Sequence, residues 1–185
     1  MKLIVTRHGE ANHNLGIQTF AAKNTGLAPE GVKTAKKLAQ KIGKADKIFC
    51  SPLKRSSETA QIISQILDNH PPIFEIDEIQ EVDVGKLVGG TADEAKERYP
   101  KAAEAFYHGH IAEWNFPGGE NFEQVSARVD KAVEKIEELA DPHDTVLIVG
   151  HGMLNRVMFY KYLPKRKDLW GPSIYPHDRV AEIKV

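Results

Sequence analysis

Two histidines in this chain each end a short apolar run and precede a glycine: Leu3-Ile4-Val5-Thr6-Arg7-His8-Gly9 near the start, and Val146-Leu147-Ile148-Val149-Gly150-His151-Gly152 near the end. A neutral imidazole nitrogen can attack phosphorus, and the guanidinium of Arg7 can hold phosphate oxygens in a bidentate fork. Both runs are β-rich and too short to stand as helices, so they read as buried strands. A histidine at the carboxyl end of such a strand lies where open α/β sheets bind ligands. If the two strands are parallel neighbours, His8 and His151 meet at one sheet edge, and the adjoining glycines leave their rings uncrowded.

A third run, Ile48-Phe49-Cys50, leads through Ser51-Pro52-Leu53-Lys54 to Arg55. Arg55 therefore belongs at the same edge and at a helix start, where free N–H groups and the helix dipole favour an anion. Glu81 and Asp83, just before Gly85, are the nearby carboxylates that can act as a general acid, and spacing alone does not choose between them. Cys50 and Arg55 approach the loop of a cysteine phosphatase, but four residues separate them where that chemistry uses five, so Cys50 reads as a packing residue. His108-Gly109-His110 has no third ligand at a recognisable spacing and reads as a surface or substrate-facing pair rather than a metal site. His13, His70, His143 and His177 fall in polar or turn contexts and read as solvent-facing. Neither a Walker A loop nor a Rossmann glycine pattern is present.

The elements that must carry these residues alternate between strand-like runs and amphipathic helical patterns, which predicts an α/β layer architecture. Residues 29 to 43 place Val32, Ala35, Leu38, Ala39 and Ile42 on one helical face, with Pro29 in the first turn and Gly43 at the end. A second helix from Ser56 to Asn69 turns Ile62, Ile63, Ile66 and Leu67 inward and stops before Pro71-Pro72. Ile73 to Ile76 reads as a strand. A helical pattern from Thr91 to Tyr107 is broken at Pro100 into two pieces. Asn121 offers an N-cap with Gln124 completing a capping box, and Phe122, Val125, Val129, Ala132, Val133, Ile136 and Leu139 define the stripe of the longest helix. A helix from Met153 to Tyr162 follows His151, and a last strand covers Val180 to Lys184.

At 185 residues the chain suits one domain, residues 1–185. Its 25 Lys+Arg against 26 Asp+Glu give a net charge of -1, which gives no reason to expect nucleic acid or an anionic membrane as a partner. A single cysteine excludes an internal disulfide and suits a reducing cytoplasm. No apolar run approaches the ~20 residues of a membrane span, and no long signal-peptide h-region opens the chain. The expectation is a soluble cytoplasmic protein.

In order along the chain, Arg7-His8-Gly9-Glu10 with Asn14, Leu27-Ala28-Pro29-Glu30-Gly31, Ser51 to Arg55 through Thr59-Ala60, Glu81 to Gly85, Pro117-Gly118-Gly119-Glu120 and Val149-Gly150-His151-Gly152 resemble the histidine phosphatase superfamily. The resemblance is to the branch around the cofactor-dependent phosphoglycerate mutases and their phosphatase relatives, and it spans nearly the whole chain. It implies a three-layer fold, a mostly parallel β-sheet flanked by helices, with a positively charged phosphate pocket and neither metal nor cofactor. It further implies that His8 is the nucleophile, that Arg7, Asn14, Arg55 and His151 hold the transferring phosphoryl group, and that Glu81 is the proton donor to the leaving oxygen.

Departures from that pattern bear on the reaction. Ala11 stands where the family often has a hydroxyl or glutamine-type residue, and Phe20 and Ala21 occupy a loop where mutases place small polar residues. The stretch between Glu81 and His151 is short and lacks the long basic insertion of the mutases. A mutase must keep its intermediate dry until it phosphorylates a second hydroxyl, whereas a shorter cover admits water. The sequence therefore predicts a metal-independent phosphomonoesterase acting on a small phosphorylated metabolite through phospho-His8, with residues 86–118 as the substrate cover. A phosphoglycerate mutase and a non-catalytic phospholigand-binding protein are the alternatives. Tyr107, His108, His110 and Trp114 either line the cover or pack within it.

Overall fold

Alternate residues of the central strands point into two separate hydrophobic clusters, and this alternation makes the fold three layers. The computed structural model describes residues 1–12, 24–172 and 175–184. Strands β1 (Lys2–Arg7), β2 (Lys47–Cys50), β3 (Ile73–Glu75), β4 (Thr145–Gly150) and β5 (Val180–Lys184) form one five-stranded sheet in the order β3-β2-β4-β1-β5. The first four are mutually parallel and β5 runs antiparallel to β1, as a mostly parallel sheet requires. Ile4, Ile48, Cys50, Leu147 and Val149 pack on one face with Leu38, Ala39, Ala60 and Ile63 from α1 (Pro29–Ile42) and α2 (Lys54–Ile66). Leu3, Val5, Phe49, Val146 and Ile148 pack on the other, with α5 (Phe122–Leu139), α6 (Gly152–Tyr162) and the segment between β3 and α5.

Local signals set the boundaries of these elements. Pro29 opens α1 and Gly43, at φ +70°, closes it. Pro100 splits the middle pattern into α3 (Ala92–Arg98) and α4 (Pro100–Tyr107), because a proline has no N–H for the helical ladder. Asn121 and Gln124 form the expected capping box of α5. Two inward-facing assignments fail: Ile66 is 41 % exposed and Leu139 is 47 % exposed. Both lie in the last turn of a helix, on the side turned away from the core that Ile63 and Ile136 enter. Beyond the expected elements, a short helix α7 (Lys167–Trp170) precedes β5, and 3-10 turns span Asp77–Ile79, Gly85–Leu87 and Ile111–Glu113.

Candidate functional site

The register of β1 against β4 pairs Arg7 with Gly150, so His8 and His151 leave adjacent parallel strands at the same level. Their rings lie 5.0 Å apart, centroid to centroid, at 60°. The His8 N–H donates to the Gly150 carbonyl at 3.0 Å, which ties the first histidine to the second strand. β2 borders β4 on its other side and leads through Ser51 to α2, which carries Arg55 in its first turn. Ser56 fixes that turn, accepting from the Ser51 N–H at 3.1 Å and donating to the Val149 carbonyl at 2.7 Å.

The His8 tautomer is set from both sides. Nδ1 lies 2.6 Å from the Gly9 carbonyl, which can only accept, so Nδ1 carries the proton. Nε2 accepts from Arg55 Nε at 3.1 Å, and a guanidinium can only donate, so Nε2 keeps its lone pair. Burial holds the His8 imidazole well below its ordinary range, and the neighbouring His151, Arg7 and Arg55 push in the same direction, against the Gly9 carbonyl. The ring is thus neutral near pH 7, with its free nitrogen turned toward a cation.

Arg7 donates through Nη1 to the Tyr175 carbonyl at 3.1 Å, while its Nε is buried without a partner. Burial lowers its value to about 10, partly offset by Glu81, so it stays charged. Gly152 makes room for this side chain, since a Cβ there would stand 3.3 Å from the Arg7 guanidinium carbon. Arg55 is lowered by burial as well and offset by the same carboxylate.

The structure separates the two carboxylate candidates. Glu81 reaches the N-terminus of α6, where it accepts from the N–H groups of Met153 at 3.2 Å and Leu154 at 3.1 Å, and from its neighbour Val82 at 3.0 Å. That position lies directly beside His151, the N-cap of α6. Asp83 is exposed and closes its own turn by accepting from Gly85 N–H at 2.8 Å. Asn14, Phe20, Ala21 and His13 lie outside the described residues.

Two residues that sequence reasoning passed over sit close to this centre. His177 is half-buried rather than solvent-facing: its Nδ1 lies 2.5 Å from the His8 carbonyl and its ring 5.2 Å from the His8 ring. Burial, followed by the charge of Arg7, lowers it to about 4. No sequence signal marks it, because the loop before β5 is brought to β1 only by antiparallel pairing. Arg156 was absorbed into the helical pattern of α6. It is 1 % exposed, donates through Nε to the Trp170 carbonyl at 3.3 Å, and leaves a buried Nη2 without a partner. Its guanidinium lies over the rings of Trp114 at 5.1 Å and Phe106 at 5.8 Å. Burial lowers it to about 10 against the opposing pull of Glu81.

The segment 86–118 folds as α3, α4 and the 3-10 turn at Ile111–Glu113. Trp114 is a core residue of this segment, donating to the Ala105 carbonyl at 3.3 Å, whereas His108 and His110 are exposed. Cys50 lies fully buried in β2, where burial pushes its thiol up to about 12, so it is no nucleophile. Among the described residues no three His, Cys, Asp or Glu side chains gather as a metal-binding set. Chemically, a neutral imidazole with a directed lone pair, two guanidiniums, a second histidine and a carboxylate gather at the sheet edge.

The family model of the histidine phosphatase superfamily (branch 1) matches residues 3–180. A metal-independent phosphoserine phosphatase of Arabidopsis thaliana is 28% identical over 166 residues, 86% of this chain and 68% of its own length. Phosphoserine phosphatase 1 of Hydrogenobacter thermophilus is 32% identical over 162 residues, 86% of this chain and 74% of its own. Among solved structures, Bacillus stearothermophilus YhfR superposes with a TM-score of 0.84 at 28% identity, covering 100% of this chain and 91% of that one.

Proposed function

This chain belongs to the histidine phosphatase superfamily, and from that membership we propose that it hydrolyses a small phosphomonoester, without a metal, through a phosphohistidine on His8. The observation that carries the reading is the His8 tautomer: Nδ1–H spent on the Gly9 carbonyl, Nε2 left as a lone pair facing Arg55. A phosphate entering between them exchanges the Arg55–His8 bond for bonds from Arg55 to its own oxygens and presents phosphorus to Nε2.

The chemistry follows in two steps. Nε2 attacks phosphorus as the bond to the leaving oxygen breaks, and Glu81 gives that oxygen its proton. Water then attacks phospho-His8, passes a proton to Glu81, and restores the Nε2 lone pair as orthophosphate leaves. Negative charge spread over the equatorial oxygens meets Arg7, Arg55 and His151, so catalysis is alignment plus cationic stabilisation. Asn14 is a further phosphate contact in this proposal.

The substrate cover is part of the same proposal. Two short helices and a 3-10 turn make a small lid, which suits hydrolysis better than the dry retention a mutase needs. A binding module would need neither the directed lone pair nor a carboxylate placed beside it. Arg156, charged and with an unused buried donor, supports a leaving group that itself carries an acidic function. The relatives named as phosphoserine phosphatases agree with that class. Among the described residues no helix is long and apolar enough to cross a membrane, and a cytoplasmic location is inferred with the rest from the lone buried cysteine.

The test is a panel of phosphate esters with and without EDTA, run on wild type and His8→Ala. Phosphate release that resists EDTA and vanishes in the variant, with acid-labile phosphate trapped on His8, is expected. Full activity in His8→Ala, or no release from any ester, overturns the proposal. Isomerisation of phosphoglycerate in a coupled assay would favour the mutase instead.

A further inference from the structure

The turn Pro117-Gly118-Gly119-Glu120 is prominent in the sequence, yet none of its side chains joins the phosphate site. Its place becomes clear from the loop that carries Glu81. After the 3-10 turn at Asp77–Ile79, residues 80 to 84 run without a strand or helix of their own, so the backbone there has no ladder to hold it. One ion pair supplies what the ladder does not. Arg128 on α5 meets the Glu120 carboxylate as a fork, Nε to Oε1 at 2.8 Å and Nη2 to Oε2 at 2.7 Å, with both side chains 20% exposed.

The remaining side-chain hydrogen bonds of that pair land on the backbone around Glu81. Arg128 Nη1 donates to the carbonyls of Glu78 at 2.9 Å and Gln80 at 2.8 Å. Glu120 Oε2 accepts from the Asp83 N–H at 2.8 Å, and the Glu120 N–H donates to the Asp83 carbonyl at 2.8 Å. The two loops also touch main chain to main chain: a Cβ on Gly119 would stand 2.3 Å from the Asp83 carbonyl oxygen, and one on Gly85 would stand 2.4 Å from the Gly119 nitrogen. Gly85 also has φ +53°, a conformation that side chains disfavour. Lys135, two turns further along α5, adds an ion pair to Glu78 at 2.5 Å.

We infer that Arg128 and Glu120 are positioning residues for the acid–base step, clamping the loop on both sides of Glu81 so that its carboxylate meets the leaving oxygen. The inference rests on the proposed role of Glu81. Arg128 acts through the loop, since its hydrogen bonds go to Glu120 and to two carbonyls. A displacement of about 1 Å in such a group can cost on the order of 10²-fold in rate.

The leaving group separates positioning from mere support of the fold. p-Nitrophenolate departs without a proton, whereas an alkoxide needs one, so kcat/KM, which covers the steps up to alcohol release, feels Glu81 only with an alkyl ester. The experiment compares kcat/KM for p-nitrophenyl phosphate and for the best alkyl phosphate of the panel in wild type, Glu81→Gln, Arg128→Met, Arg128→Lys and Glu120→Gln. Glu81→Gln should lose roughly 10²-fold or more on the alkyl ester and little on the aryl ester. Arg128→Met and Glu120→Gln should show the same selectivity at about 10-fold, with Arg128→Lys, which keeps a donor and the charge, recovering part of the loss. Equal losses on both esters, or none, in the Arg128 and Glu120 variants while Glu81→Gln stays selective overturn the clamp alone. An unselective Glu81→Gln overturns the role of Glu81 and the clamp with it. Should Arg128→Met fail to fold, Glu120→Gln and Arg128→Lys carry the same comparison.

Discussion

His8, His151 and Arg55 follow the carboxyl ends of β1, β4 and β2, three adjacent parallel strands, whereas Glu81 sits on a loop that reaches the site from outside the sheet. On the strand side, main-chain bonds and buried small groups fix the side chains: His8 to Gly150 and Gly9, and Ser56 to Val149. On the loop side, the Arg128–Glu120 fork bonds to the loop backbone, and the Glu81 carboxylate itself reaches the N–H groups at the start of α6. On the proposed mechanism the phosphoryl chemistry, common to every phosphomonoester, is thus built into the sheet. In the proposed reading the leaving group, which differs between substrates, is met by loops, by Arg156 and by the segment 86–118, and these can change without disturbing strand pairing.

This division predicts a descending series of effects. His8→Ala removes the nucleophile and should lower kcat by roughly 10⁴-fold or more on every ester, read as phosphate release. A residual rate near that of wild type would remove the strand edge from the chemistry. Arg55→Lys keeps a charge but loses the fork and should cost on the order of 10²-fold in kcat for aryl and alkyl esters alike. Dependence on the leaving group would instead assign Arg55 to the loop side.

Arg156→Met should act on the other half. It should raise KM about 10-fold for an ester with a carboxylated leaving group, by loss of a charged hydrogen bond, and leave a neutral ester unchanged. A uniform change in kcat across both esters would contradict the assignment. Next comes the clamp, whose variants are expected to separate alkyl from aryl esters as described.

The smallest effect is on stability. His177 is lowered in the fold from 6.5 to about 4, so between these values the unfolded chain binds more protons than the folded one. Stability is complete above about pH 6.5 and is lost as pH falls toward 4. His8, lowered by its own burial, adds in the same direction. His177→Gln, which retains a donor toward the His8 carbonyl, should flatten the acid side of a Tm-against-pH curve. Curves of wild type and variant that run parallel from pH 7 to 4 would deny the group its linkage.

Much of the strand half was legible because its signals are local. A β-rich run, a histidine and a glycine lie side by side, and parallel pairing of two such runs brings the histidines together. Pro100 and the Asn121–Gln124 box were equally readable, since a missing N–H and a capping side chain act within one turn. The loop half was less legible. Spacing alone does not part Glu81 from Asp83, although the family resemblance does, and only the fold shows that Glu81 reaches α6 while Asp83 closes its own turn. Arg128 on α5 and Arg156 on α6 carry no local signal, since their partners come from distant segments. Ile66 and Leu139 mislead in another way, because an apolar residue at helical spacing can still face outward in the last turn.

By itself, then, the sequence carried the family resemblance and the layered architecture, and it offered His8, His151 and Arg55 as candidates for one sheet edge, because strand direction and short-range caps are written in neighbouring residues. Only the tertiary structure decided the His8 tautomer, the docking of Glu81 on the start of α6, the arrival of His177 and the contacts of Arg128 and Glu120 around the Glu81 loop. Each of these depends on a hydrogen bond between segments far apart in the chain, and such bonds exist only once the layers have packed.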